Sequence, residues 1–126
     1  MESERRARLE ARAAVIKAMS HPTRLLILEE LEGGKRCVAE LTANSGSDVS
    51  TVSKHLAVLR HAGIVQAQRE GARVCYTLRV PCVLRFFDCI EAVLRATIEE
   101  RMKGLEPGPT KGLEQGPRAG REAQAR

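Results

Sequence analysis

The chain has 126 residues, a formal net charge of +5 and a pI near 9.4, which allow one small domain and favour a polyanionic partner. With one Tyr, two Phe and no Trp, it lacks the aromatic side chains on which single-strand nucleic-acid binders stack bases. No run reaches the roughly 18 apolar residues of a membrane span, and the charged N-terminus has no apolar signal-peptide segment. We therefore expect a cytoplasmic protein whose four cysteines are mostly reduced, without a disulfide framework.

Three helices are predicted in the first part of the chain. Residues 4–18 have a helical apolar repeat, and a second helix follows within SHPTRLLILEELEGG, residues 20–34. There Ser20 or His21 can cap, Pro22 suits the first turn, and the apolar stripe comprises Leu25, Leu28 and Leu31. A short helix over residues 37–43 and a turn over 45–48 come next. Two short helices joined by a glycine-containing turn are typical of a helix-turn-helix.

Residues 48–63, DVSTVSKHLAVLRHAG, form the helix on which the functional prediction depends. One apolar stripe repeats at spacings of four and three residues: Val52, Leu56 and Leu59. Asp48 can cap the N-terminus of this helix, and Gly63 can end it. The remaining side chains of the first two turns are hydroxyls, a lysine and a histidine. A short helix with such hydrogen-bonding groups at its start can enter a DNA major groove.

The segment IVQAQREGARVCYTL, residues 64–78, predicts a two-stranded wing with its turn at Glu70-Gly71-Ala72. In its second arm, one face carries Val74, Tyr76 and Leu78. Pro81 then begins a long amphipathic helix that reaches about Lys103. Residues 104–126 contain five of the ten glycines and an imperfect repeat, GLEPGPTK and GLEQGPRA, so we predict a disordered tail after a domain over residues 1–103.

Three motifs, SHPTRLLIL, STVSKHLAVLRHAGIV and REGARVCYTL, resemble the ArsR/SmtB transcriptional repressors over roughly residues 12–103. The resemblance implies a mainly α winged helix-turn-helix that dimerises through its first and last helices. It also implies binding to double-stranded operator DNA that an effector relieves. The chain departs from the family at Asn44 and Ser47, which are polar where relatives usually have apolar residues.

The resemblance carries DNA contacts over to the start of the 48–63 helix and to the wing. The candidates on the helix are Val49, Ser50, Thr51, Ser53, Lys54 and His55, and those on the wing are Arg69 and Arg73. Ser50, Thr51 and Lys54 are expected near bases or phosphates, and the two arginines near the backbone or minor groove. The alternative is that these polar groups are only solvated, and that His55 forms a hydrogen bond within the fold.

The cysteines are the candidates for effector chemistry. Many arsenic- and cadmium-sensing relatives carry Cys-x-Cys before the recognition helix, but here Cys37 is followed by Ala39. Zinc-sensing relatives use histidine and carboxylate ligands on the last helix, and this last helix has no histidine. Cys82 and Cys89 remain, seven residues apart and separated by a helical rise of about 10 Å, which is too far to chelate one ion within one chain. A shared site therefore needs ligands from the partner helix or from another element.

Three effector hypotheses stay open. The first is a soft metal or metalloid (arsenite, cadmium or zinc) held by Cys82, Cys89 and Cys37. The second is oxidation or sulfide chemistry at Cys82 and Cys89, and the third is a small organic metabolite. In the structural alternative all four cysteines, Cys75 included, pack as small hydrophobes. An enzyme is disfavoured because no phosphate loop or nucleophile–base motif occurs, whereas a winged-helix protein–protein adaptor remains a rival.

Overall fold

Five α-helices and three short β-strands follow one another in residues 2–104, the part of the chain that this computed structural model describes. The helices are α1 (Glu2–Met19), α2 (Pro22–Glu32), α3 (Val38–Ser45), α4 (Val49–His61) and α5 (Leu84–Met102). The strands are β1 (Arg36–Cys37), β2 (Val65–Glu70) and β3 (Arg73–Leu78). The predicted mainly α fold with an antiparallel wing is thus confirmed. Apart from Gly104, the predicted tail lies outside the described residues.

The core lies where α2, α3 and α4 pack against one another and against the strands that follow α4. It is aliphatic, as the scarcity of aromatic residues requires, and its most buried members are Ile27, Leu28, Leu41, Val52, Leu56, Leu59 and Val65. The predicted stripe on α2 is correct at Leu28 and Leu31 but wrong at Leu25, which is exposed. Ile27 is buried in its place, so the face of α2 that meets the core is rotated toward that residue.

The wing has one strand more than the sequence predicted. β1 pairs antiparallel with β3, and β3 pairs with β2, so the strand order is β1-β3-β2. The predicted hairpin itself is confirmed, with Glu70 opposite Arg73 next to a two-residue turn. Gly71 has a φ of 67° there, which glycine adopts at the first turn position without steric cost. Because β3 has neighbours on both edges, it forms the centre of the sheet.

Among the described residues, 2–86 form one compact unit, and 87–104 belong to a second. In the first unit, α1 buries only Ala18 and Met19 and exposes the apolar side chains of Leu9, Val15 and Ile16. Within the second unit, α5 exposes a long apolar side that consists of Ile90, Val93, Leu94, Ile98 and Met102. The amphipathic last helix is confirmed, although it begins at Leu84 after a 3-10 turn over Pro81–Val83. Among residues 2–104, no helix has the length and hydropathy needed to cross a bilayer.

Candidate nucleic-acid interface

Helix α4 begins at a carboxylate cap. Asp48 has an extended backbone, and its Oδ1 accepts a hydrogen bond of 2.8 Å from the backbone N–H of Thr51. That hydrogen bond stabilises the ionised carboxylate, so it lowers the pKa of Asp48, with a smaller contribution from the positive charge of Lys54. The helix stops where predicted, since Gly63 has a φ of 84° and its N–H donates to the carbonyl of Arg60 at 2.9 Å.

The two faces of α4 differ completely in exposure. Val52, Leu56 and Leu59 each have 0% of their surface exposed, as the repeat of the stripe predicted. On the other side of the first two turns, Val49, Ser50, Ser53 and Lys54 are exposed, and Thr51 is half-buried. The buried stripe holds the helix on the core of α2 and α3. Its start therefore presents hydroxyl and ammonium groups to a partner without any loss of packing.

His55 differs from these exposed residues because it is half-buried against α2. Its Nδ1 lies 3.0 Å from Nη1 of Arg24, and its ring centroid lies 4.3 Å from that of His21. Since a guanidinium group can only donate hydrogen bonds, this contact requires an unprotonated Nδ1 on His55. Burial, followed by the neighbouring His21 and Arg24, lowers the pKa of His55. The arrangement thus favours a neutral His55 that connects α4 to α2.

The same cluster shows what the sequence did not reveal. His21 caps α2, because its Nδ1 accepts the backbone N–H of Thr23 at 3.0 Å, and this confirms one of the two predicted caps. Arg24 was not singled out, although it joins the first turn of α2 to α4. No local pattern pointed to it, because Arg24 and His55 are 31 residues apart and only the packing of α2 on α4 brings them together.

The wing is fastened to the C-terminal end of α4. The backbone N–H of Arg79 donates to the carbonyl of Ile64 at 2.9 Å, and its guanidinium donates to the carbonyl of Gly63 at 3.3 Å. Farther out, Arg69 and Arg73 are both exposed on the hairpin. Glu70 forms an ion pair with Lys35, so the only acidic side chain at this end of the hairpin is engaged. Two exposed guanidinium groups on a hydrogen-bonded ribbon can bind phosphates.

The cysteines differ from the prediction. Cys37 and Cys75 are joined by a disulfide, which corrects the expectation of reduced cysteines at this pair. Cys37 lies at the N-cap of α3 and in β1. Because it is bonded to Cys75, its sulfur is not a free thiolate ligand. Cys82 and Cys89 are free and exposed, but Cys82 lies in the 3-10 turn, whereas the prediction placed both on one helix. Among residues 2–104 no three metal-ligating side chains come together within one chain.

A helix-turn-helix whose second helix presents a polar start, followed by a basic β-hairpin, defines a winged-helix DNA-binding protein. The model of the bacterial regulatory protein arsR family matches residues 21–67. The transcriptional regulator YgaV of Escherichia coli is 45% identical over 74 residues, which are 58% of this chain and 75% of YgaV. The chain belongs to the ArsR family.

Two solved structures are similar throughout most of their length. The crystal structure of Rv0081 from Mycobacterium tuberculosis has a TM-score of 0.67 at 33% identity, over 75% of this chain and 95% of that one. The homodimeric winged helix-turn-helix domain of Mb0332 from Mycobacterium bovis has a TM-score of 0.64 at 32% identity, over 79% and 89% of the two chains. The protein is therefore a DNA-binding transcriptional regulator of this family.

Proposed function

We propose that the protein is a repressor that occupies double-stranded operator DNA as a homodimer and leaves it when an effector binds. The observation that carries this proposal is α4, in which a fully buried stripe supports an exposed start of hydroxyls and an ammonium group. A helix bound to DNA in this way prevents other proteins from using the same groove. We propose that it acts in the cytoplasm, because its DNA target lies there.

The proposed contacts divide between the helix and the wing. Ser50, Thr51 and Lys54 read base edges or phosphates, and Val49 and Ser53 line the same surface. The wing arginines, Arg69 and Arg73, hold the backbone or enter the minor groove. Of the two roles considered for His55, a DNA contact or a hydrogen bond within the fold, we adopt the second. Because it forms a hydrogen bond with Arg24 and its ring lies against that of His21, we propose that it orients α4 and does not itself read a base.

The homodimer is proposed from the apolar sides of α1 and α5. Each of these helices, considered by itself, exposes large aliphatic side chains that a separate protomer would leave in water. The solved domain of Mb0332 is homodimeric, which supports the same assembly here. Two copies of α4 related by a two-fold axis would then read an operator with an inverted repeat.

We propose that the effector acts on thiols. Cys82 and Cys89 are free and exposed, so both can react or bind a soft ion such as arsenite, cadmium or zinc. A metal or metalloid site would need ligands from the second protomer, because residues 2–104 of one chain assemble no such group. Replacing both cysteines by serine tests this directly. Release of DNA by arsenite or cadmium that persists in the double variant would exclude them as ligands.

The DNA proposal is tested by fluorescence anisotropy with a duplex selected from a random-sequence library by the reduced protein. Affinity should fall steeply with added salt, because lysine and arginine contacts release counterions. Lys54→Ala should weaken binding and reduce the salt slope by about one ion, and Ser50→Ala should weaken binding to the selected sequence. Lys103→Ala, which removes an exposed lysine far along the chain from α4, is the control. Failure to select any duplex would favour the adaptor alternative.

A further inference from the structure

Cys37 and Cys75 are 38 residues apart in sequence yet lie directly opposite each other in the β1–β3 ladder, and their sulfur atoms are joined. Cys75 has 0% of its surface exposed and Cys37 has 6%. Neither residue lies on α5 or in the turn before it, where the sequence placed Cys82 and Cys89, its two candidates for oxidation or sulfide chemistry. The pair is thus a second cysteine site, separate from the free thiols of Cys82 and Cys89.

The disulfide connects the two DNA-reading parts of the fold. Cys37 caps α3, the first helix of the helix-turn-helix, and its backbone N–H donates to Oε1 of Glu40 at 2.8 Å. Helix α3 packs on α4. Cys75 lies in β3, opposite Gln68 of β2 and two residues after Arg73. A covalent change at this pair therefore acts on the helix-turn-helix and on the wing together.

We propose that Cys37 and Cys75 are a reversible thiol pair that peroxides oxidise, and that the disulfide form binds the operator more weakly than the dithiol form. The direction of the change rests on the proposed function, in which an effector releases a repressor from DNA. Breaking the bond moves the two buried sulfur atoms apart to non-bonded contact. Because neither side chain has solvent to move into, β1 and β3 must shift, and α3 shifts relative to the wing.

The chemistry begins at Cys37, because 6% of its surface is exposed whereas Cys75 has none. Its sulfur attacks one oxygen of hydrogen peroxide, the O–O bond breaks, and hydroxide leaves and is protonated to water. The resulting sulfenic acid is attacked by the sulfur of Cys75, so the S–S bond forms and a second water departs. Two thiols thereby lose two electrons and two protons to the peroxide. A dithiol reductant reverses the reaction by thiol–disulfide exchange.

The test uses the full chain in three forms: wild type, Cys82→Ser with Cys89→Ser, and Cys37→Ser with Cys75→Ser. Each form is reduced, treated with hydrogen peroxide and then returned to dithiothreitol. Differential alkylation with peptide mapping identifies the oxidised cysteines, and anisotropy measures affinity for the selected duplex. In the wild type and in the variant that lacks Cys82 and Cys89, peroxide should join Cys37 to Cys75 and lower affinity at least about tenfold, reversibly, a change typical of allosteric coupling.

An affinity that stays unchanged or rises when the Cys37–Cys75 bond forms would overturn the proposal, as would a fall that requires Cys82 or Cys89. The variant without Cys37 and Cys75 should keep its affinity in peroxide. If that variant does not fold, as judged by circular dichroism, the wild type and the variant without Cys82 and Cys89 still test the proposal, because both keep Cys37 and Cys75. Should no form select a duplex, the proposed function fails, whereas the peptide map still shows whether peroxide joins the pair.

Discussion

Reduction of the Cys37–Cys75 disulfide should strongly destabilise the fold. The bond closes a loop with a sequence separation of 38 residues. For a loop of that length, the chain-entropy model gives a loss of about 13 cal/mol/K in the unfolded state, or about 4 kcal/mol of folding free energy at 25 °C. In a domain of this size, such a difference lowers the melting temperature by roughly 15–30 °C. This is the entropic contribution alone, without any change in packing.

The measurement is thermal unfolding followed by circular dichroism, with and without a phosphine reductant. The variant with Cys82→Ser and Cys89→Ser is the matched control, since it keeps the buried pair and lacks the two exposed thiols. It should show the same loss of stability on reduction as the wild type. A difference below about 1 kcal/mol between oxidised and reduced protein would refute the reasoning. It would mean that the unfolded chain gains little freedom when the bond is removed.

Three other perturbations have expected outcomes. Leu56→Ala should lower the free energy of unfolding in urea by about 2–5 kcal/mol, because the side chain is fully buried. Val58→Ala on the exposed side of the helix should lower it by about 0.5 kcal/mol or less. Equal losses would contradict the orientation of α4. Burial, followed by His21 and Arg24, lowers the pKa of His55 from 6.5 in the folded protein. As the pH falls, His55 is therefore protonated more readily in the unfolded chain than in the folded one. The free energy of unfolding is thus highest above about pH 6.5 and decreases below it. The urea midpoint should therefore fall more between about pH 7.5 and about pH 5.5 in the wild type than in His55→Gln, and identical falls would exclude His55 as the cause. Asp48→Ala should speed hydrogen exchange at the Thr51 amide, whereas Asp48→Asn, which keeps a capping oxygen, should change it little; equal effects would exclude the cap as the source of protection.

Features set by neighbouring residues could be predicted from the sequence. The spacing of Val52, Leu56 and Leu59 determined which face of α4 is buried, because helical periodicity depends only on local geometry. Asp48 and Gly63 marked its ends for the same reason, since both act through backbone groups within one turn. The hairpin could also be predicted, because a glycine turn and alternating side chains define it without reference to the rest of the chain.

The candidate site was predicted in the same local way, as an exposed start of α4 and a basic wing. What escaped prediction were the contacts that reach from that site into the fold. The sequence offered His55 either as a DNA contact, which the family resemblance implied, or as a residue that forms a hydrogen bond within the fold, but it did not name the partner. Only the crossing of α2 over α4 places Arg24 3.0 Å from its ring.

Sequence alone thus determined the helices, their caps, the apolar stripe of α4 and the hairpin. Tertiary structure decided which distant residues meet. β1 has two residues, too few to show an alternating pattern, and exists because β3 offers it a free edge. That pairing sets Cys37 opposite Cys75 across 38 residues of chain, and no spacing within the sequence specifies such a register. The reason is physical: long-range register depends on how helices and strands pack, whereas helix and turn signals act within a few residues.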